Sequence, residues 1–320
     1  MLSRVADSIY WMARQVERAE SVARFIDVNL QLNIDMPEES PTQWESLIYT
    51  TGDHEEFFKR HKTANRETVI EFLTFDRQNT NSILSCVRFA RENCRSVREI
   101  VSSEMWFQLN TFYLMLMASD ARQRAMESPD EFFNAIRTAS HLFNGLTYGT
   151  MSHGEAWHFA RMGAMLERAD KATRILDVKY YLLLPESTDV GSTIDDIQWS
   201  AVLKSCSGFE MYRKRHHRIL PDRVVDFLLL DREFPRAVHH CVQKADESLH
   251  AITGTAAGSF RNPVEKQLGQ LRAELAYAQV NEVLKDGLHE FLDALQTQLN
   301  LIGDGIFETF FSRPPYVGVV

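Results

Sequence analysis

Apolar positions recur at helical spacing from the first residues of this chain to near its end. Val5, Ile9, Met12, Val16, Ala19, Ala23 and Ile26 step by four and three, and predict a helix over residues 3–30 with one apolar stripe. Trp11, Val22 and Phe25 form a second strip, about a third of a turn away at about 100° per residue. A helix apolar over so wide an arc is enclosed by neighbours, so its charged residues face other helices as well as water. A polar loop around Pro37 to Pro41 follows. Helical patterns then resume near Trp44, over residues 65–75, over 81–102 and over 104–126. Ser128-Pro129-Asp130-Glu131 has the form of a helix start, with serine at the N-cap, proline at N1 and acids in the first turn. A second long helix is predicted over 151–184, and a polar linker over 185–191. Further helices start near Asp195, at Pro221-Asp222 and at Pro235, the last ending near Thr253-Gly254. Two long patterns run from Val264 to about Phe311, where Arg313-Pro314-Pro315 closes them. No segment alternates as a strand does. The predicted class is therefore all-α, a multi-helix bundle, and the 14 glycines and 9 prolines in 320 residues are too few for a β or Rossmann fold.

The pattern also repeats. Residues 17–28 and 167–178 lie 150 positions apart and share Glu, Arg, Ala, Arg, Asp and Val at six equivalent places. This predicts one helical domain over residues 1–320, built of two pseudo-repeated halves of about 1–148 and 149–320. Within each segment an acid precedes an arginine by four and a second acid follows by three: Glu20, Arg24, Asp27 and Asp170, Arg174, Asp177. Such ladders fix helix packing or serve a site. Glu17-Arg18 and Glu167-Arg168 differ, because sequence neighbours diverge by about 100° and must reach two different partners.

Composition narrows the function. A net charge of -9 is wrong for a nucleic-acid binder, which needs a broad basic face. No apolar run reaches about 18 residues, so no membrane span is expected. The N-terminus carries charges throughout its apolar pattern, unlike a signal peptide, which points to the cytoplasm. Cys86, Cys94, Cys206 and Cys241 lack metal or disulfide spacing and read as buried, reduced thiols.

Three other constellations stand out. Arg88, Arg91, Arg95 and Arg98 line one predicted helix face, where they receive an anion or are neutralised by Glu92 and Glu99. One expectation is that Arg91, Arg95 and Arg98 meet Glu17 or Glu167 in the interior. Residues 213–218, Arg-Lys-Arg-His-His-Arg, form a docking patch or a solvated face. Glu155-x-x-His158 and Glu247-x-x-His250 have the spacing of dinuclear metal bundles, with Glu17 and Glu167 as nominal further ligands. The adjacent Arg18 and Arg168 would repel a metal, so no metal or other cofactor is expected.

At these motifs the chain resembles the alpha-E family of bacterial helical proteins, named for a Glu-Arg signature. The resemblance rests on Met1-Leu2-Ser3-Arg4, Tyr10-Trp11 before Arg14, both Glu-Arg motifs, Asn81-Ser82-Ile83, and Ala90-Arg91-Glu92-Asn93 with Arg95, Val97-Arg98 and Trp106. Glu155, Trp157, Phe159, Trp199, Tyr212-Arg213 and residues 234–238, Phe-Pro-Arg-Ala-Val, extend it over nearly the whole chain. It implies association with an ATP-grasp-type ligase and with a transglutaminase-like protein, in making or modifying a peptide or amide. On that basis a central polar seam is expected to bind an amino-acid or peptide-like ligand. Arg18, Arg168, Arg91, Arg95, Arg98, Arg24 and Arg174 would hold carboxylates, and Glu17 and Glu167 would hold an amine or act as general base. The alternatives are a non-catalytic scaffold for the ligase and, third, a dinuclear metal oxidase.

Overall fold

A chain with this periodicity and so few turn residues satisfies its backbone inside helices. The computed structural model describes residues 1–35, 41–182 and 193–312, and holds sixteen α-helices with no strand among the described residues. The first eight are α1 (Ser3–Asp35), α2 (Pro41–Thr51), α3 (His54–Phe58), α4 (Arg66–Thr74), α5 (Ile83–Ser96), α6 (Ser103–Met117), α7 (Ala121–Glu127) and α8 (Pro129–Thr150). After a short break come α9 (Glu155–Leu182), α10 (Thr193–Ser205), α11 (Phe209–Arg215), α12 (Pro221–Leu229) and α13 (Val238–Thr253). The series ends with α14 (Pro263–Tyr277), α15 (Val280–Asp286), α16 (Leu288–Ile306) and one π-helical turn, Phe307–Phe311.

The two longest helices, α1 and α9, form the centre. They run side by side in the same direction: the Met1 amine meets Glu155 at 2.9 Å, Tyr10 lies against Gly163, and Arg14 reaches Glu167 at 3.0 Å. Gly163 sets the separation, since a Cβ there would stand 2.5 Å from the Tyr10 carbonyl oxygen. Around this pair, α5, α8 and α10 pack on α1, while α2, α13 and α16 pack on α9. The predicted α1 stripe, from Val5 to Ile26, is wholly buried, and Val22 and Phe25 of the second strip are buried with it.

Some predicted boundaries shift. The helix expected over 81–102 begins after Ser82, whose hydroxyl accepts from the Ser85 amide, and ends at Ser96; Ser102 then caps α6 by accepting from the Met105 amide at 3.2 Å. The pattern over 104–126 breaks at Ala118, where a Ser-Asp pair favours a turn. The last two patterns are three helices, parted at Ala278-Gln279 and at Gly287, whose φ of +111° suits glycine. The predicted linker 185–191, Pro37 and the Arg313-Pro314-Pro315 stop lie outside the described residues. Certain local arrangements occur twice. Arg60 stacks on Phe72 and pairs with Asp76, as Arg215 stacks on Phe227 and pairs with Asp231. Each of these aspartates accepts the backbone N–H two residues on, at 2.8 Å.

Candidate functional site

Where α1 and α9 lie together, each Glu-Arg motif is completed by the other. The Arg18 fork spans Glu167, with Nε to Oε1 at 2.6 Å and Nη2 to Oε2 at 2.9 Å. In return the Arg168 fork spans Glu17, at 2.8 Å and 2.7 Å. Glu17 is 1% exposed and Glu167 0%. A planar guanidinium suits this two-pronged contact as lysine does not.

Further side chains extend each exchange. Glu167 also receives Arg14 at 3.0 Å and Lys171 at 3.6 Å. Arg18 Nη1 donates to Asn81, which in turn donates to Asp53 at 2.7 Å. On the other side Arg236 bridges Glu17 and Glu20, and Glu20 also meets Arg24 at 2.6 Å and His141 at 3.0 Å. Arg174 Nε meets Asp170 at 2.9 Å. The seam thus gathers seven cationic side chains (Arg14, Arg18, Arg24, Arg168, Lys171, Arg174, Arg236) around five carboxylates (Glu17, Glu20, Asp53, Glu167, Asp170). It is a local positive excess in an acidic chain.

The electrostatics follow from that crowd. Burial by itself would raise the Glu167 carboxyl, but Arg18, Arg14 and Lys171 together outweigh it and hold it well below the ordinary glutamate value. Burial opposes ionisation of Glu20 in the same way, and Arg236, His141 and Arg24 overcome it. A carboxylate so stabilised is a poor proton acceptor near neutral pH. Burial pushes the thiols of Cys86 and Cys241, beside the seam, up to about 12, so neither is a nucleophile there.

Of the predicted site residues, Glu17, Arg18, Glu167 and Arg168 meet directly, and Arg24 and Arg174 join through Glu20 and Asp170. The arginine row does not come with them. Arg91 and Arg95 share Glu92, at 2.7 Å and 2.6 Å, and Arg98 lies over the Trp106 ring on the outer side of α5 and α6. The expected meeting with Glu17 or Glu167 fails because the face of α5 that packs on α1 is apolar, with Leu84, Val87 and Cys94 buried. The acid ladders also stop one step short: Asp27 pairs with Arg137 of α8, and Asp177 with His289 of α16, each at 2.6 Å. The Glu-x-x-His motifs do not converge on Glu17 and Glu167. Glu155 holds the Met1 amine at the surface, and Glu247 is tied to Lys244 and Arg161. In the basic run, Arg215 is neutralised by Asp231 and Glu233, and Arg213 lies over Phe209.

Several seam residues carried no role in the sequence reading. Arg14, Asn81 and Arg236 stood inside recognisable motifs, which was a usable signal. Lys171 stands four residues after Glu167 on α9, a local spacing that was a usable signal too. His141 gave none, since only the packing of α8 on α1 brings it to Glu20. Next to Arg168 a cleft of about 250 Å³ opens between α1, α8 and α9, walled by Phe143, Tyr148, Trp157 and Met165, with Asn144 and Arg161 as polar groups. Arg161 lies over the Trp157 ring at 5.3 Å and meets Glu247 through Nη2 at 3.2 Å.

A family model described as a predicted alpha-helical domain with a conserved ER motif matches residues 1–311. The chain belongs to the Alpha-E family. Both ER pairs of this Alpha-E chain, Glu17-Arg18 and Glu167-Arg168, take part in the crossed exchange. Three uncharacterised mycobacterial proteins are similar to it, one from Mycobacterium bovis and two from Mycobacterium tuberculosis strains. Each is 23% identical over 97% of this chain and 37% of its own length. The Alpha-E chain therefore spans little more than a third of those relatives. No solved structure matches it. Among its described residues no helix is long and apolar enough to cross a membrane.

Proposed function

We propose that this chain is a cytoplasmic helical partner of an ATP-grasp-type ligase, in a system that forms or modifies a peptide or amide. A transglutaminase-like protein would belong to the same system. In this reading it binds an amino-acid or peptide-like carboxylate beside the seam, and the chemistry belongs to the ligase. The observation that carries the reading is the cleft next to Arg168, where aromatic walls and Arg161 stand at the edge of a region with more cations than carboxylates. An apolar pocket with a few convergent polar groups is the usual form of a small-ligand site. Glu167 has a structural role in this reading, because its cations leave it too weak a base for proton abstraction.

Calorimetric titration with N-acetyl-phenylalanine and with its amide tests the reading. The acid should bind about tenfold more tightly than the amide, and Arg161→Gln should remove that preference. Thr147 of α8 also lines the cleft, and filling it with Thr147→Trp should abolish binding of both. Equal affinity for acid and amide, or indifference to both substitutions, would overturn it.

A second reading, a scaffold without a ligand, is favoured by the seam's self-sufficiency, since the forks of Arg18 and Arg168 are already filled from within the chain. It expects charge reversal at Arg213 and Lys214 to break co-purification with the ligase, while the probe acid gives no heat.

A further inference from the structure

A helix apolar on all sides is ordinarily enclosed. Helix α6 is apolar on most of its surface, yet only one flank is buried, through Met105, Leu109, Phe112 and Leu116. A second flank, with Trp106, Asn110 and Tyr113, leans on α5, and Gln108 on a third donates to the Ala139 carbonyl of α8 at 2.9 Å. The remaining flank faces outward and carries Phe107, 65% exposed, and Leu114, 56% exposed, one above the other at i and i+7. The fold itself does not require this. In α14, Val264, Leu268, Leu271 and Leu275 are buried with the same spacing of four, three and four, and the equivalent outward positions hold Lys266 and Ala273.

Beside the apolar flank stands the arginine row that the seam left out. Arg91 donates to Asn110 at 2.9 Å and lies over both Trp106 and Tyr113, while Arg98 covers Trp106 at 4.9 Å and Arg88 covers Phe89. Arg95 is paired with Glu92 but is largely exposed, and among the described residues Arg88 and Arg98 meet no carboxylate. Stacking holds Arg88 and Arg98 in place and leaves their N–H groups open to an incoming anion, and the exposed Arg95 can exchange Glu92 for one.

We propose that the α5–α6 face docks an amphipathic helix of a partner protein, with apolar residues seated on Phe107 and Leu114 and flanking carboxylates on Arg88, Arg95 and Arg98. Helix-in-groove recognition has this form, with apolar anchors at i, i+4 and i+7. A second copy of this chain fits less well, since a two-fold contact sets the same arginines against each other. A flat anionic bilayer fits less well too, because it would set phosphates against the neighbouring Glu92, Glu99 and Glu104 as well as against the arginines, whereas a helix can place its carboxylates on the arginines alone. The inference does not depend on the cleft beside Arg168.

Fluorescence anisotropy with the full chain tests it. The probe is a labelled amphipathic peptide about five turns long, leucine on one face and glutamate on its borders, beside a version with lysine for glutamate. The glutamate peptide should bind at least about tenfold more tightly than the lysine peptide, and less so as salt rises. Leu114→Glu should weaken it by about tenfold or more, and so should Arg95→Glu with Arg98→Glu, at unchanged thermal midpoint. Lys266→Glu, on the equivalent face of α14, should leave it unchanged. Equal binding of the two peptides, or binding indifferent to the α6 and α5 substitutions, would overturn the proposal. So would Leu114-dependent dimerisation in sedimentation, or Leu114-dependent binding to phosphatidylglycerol vesicles without binding of the peptide.

Discussion

A carboxylate removed from water keeps its charge only where cations and hydrogen bonds replace the lost solvent. Glu167 has Arg14, Arg18 and Lys171 for that purpose, and Glu17 has Arg168 and Arg236. Glu167→Gln keeps the shape and removes the charge, leaving Arg18 facing a neutral amide. Breaking a buried pair on one side in this way should cost about 3 kcal/mol, read as a drop in the urea midpoint. The same residue sets a pH dependence. Its folded carboxyl is held well below the ordinary value of 4.5, so its stabilisation is complete above that value and is lost as pH falls toward the folded one. Urea titrations from neutral to acid pH should show a steeper loss of stability in the wild-type chain than in Glu167→Gln. Equal slopes would remove Glu167 as the cause. The sequence showed that Glu17 and Arg18 must reach in different directions, but not that the target of each lay in the other motif.

At the scale of elements, the central contact depends on how closely α1 and α9 approach. Gly163→Val places a side chain against the Tyr10 carbonyl, backbone that moves only if α1 moves. Overpacking of this kind should cost about 1–3 kcal/mol, whereas Gly145→Ala, at an open position on α8, should be neutral or stabilising in thermal unfolding. The predicted start at Ser128-Pro129 is where α8 begins, with Pro129 at N1, but the Ser128 side chain makes no cap hydrogen bond. The cap that does form is at Asn65, read from the sequence only as the start of a pattern. Its side chain accepts from the Thr68 amide at 2.9 Å, while its own backbone N–H donates to the Thr68 hydroxyl. Asn65→Ala should lower stability by about 1 kcal/mol, measured in the same way. The arginine row shows the limit of periodicity. Spacing grouped Arg88, Arg91, Arg95 and Arg98 on one helix face, and it carried no information about which neighbour covers that face or where the helix ends. Arg98 lies beyond Ser96, where α5 has ended.

At the scale of the whole molecule, neither run of eight helices can satisfy its own seam. Arg18 needs Glu167, Arg168 needs Glu17, and Arg236 reaches across to Glu17 and Glu20. A fragment of residues 1–150 alone should therefore show low helicity by circular dichroism, restored by adding the complementary fragment. A fully helical isolated fragment would refute this. The four cysteines supply an independent probe: all are buried, with thiols pushed up to about 12 at Cys86, Cys94 and Cys241 and to about 11 at Cys206. A thiol reagent should find none in the native chain and all four in one step on unfolding. The sequence alone determined the all-helical class, the enclosed face of α1 and the pairing of acid with arginine four residues on, because each depends on chain neighbours within a turn or two. It also presented the two Glu-Arg motifs as equivalents. Only the tertiary structure decided that these motifs neutralise one another, that Arg14, Arg236 and His141 join them, and that the arginine row stays outside. Those outcomes depend on which helix faces meet, and contacts between residues some 150 positions apart leave no mark in local spacing.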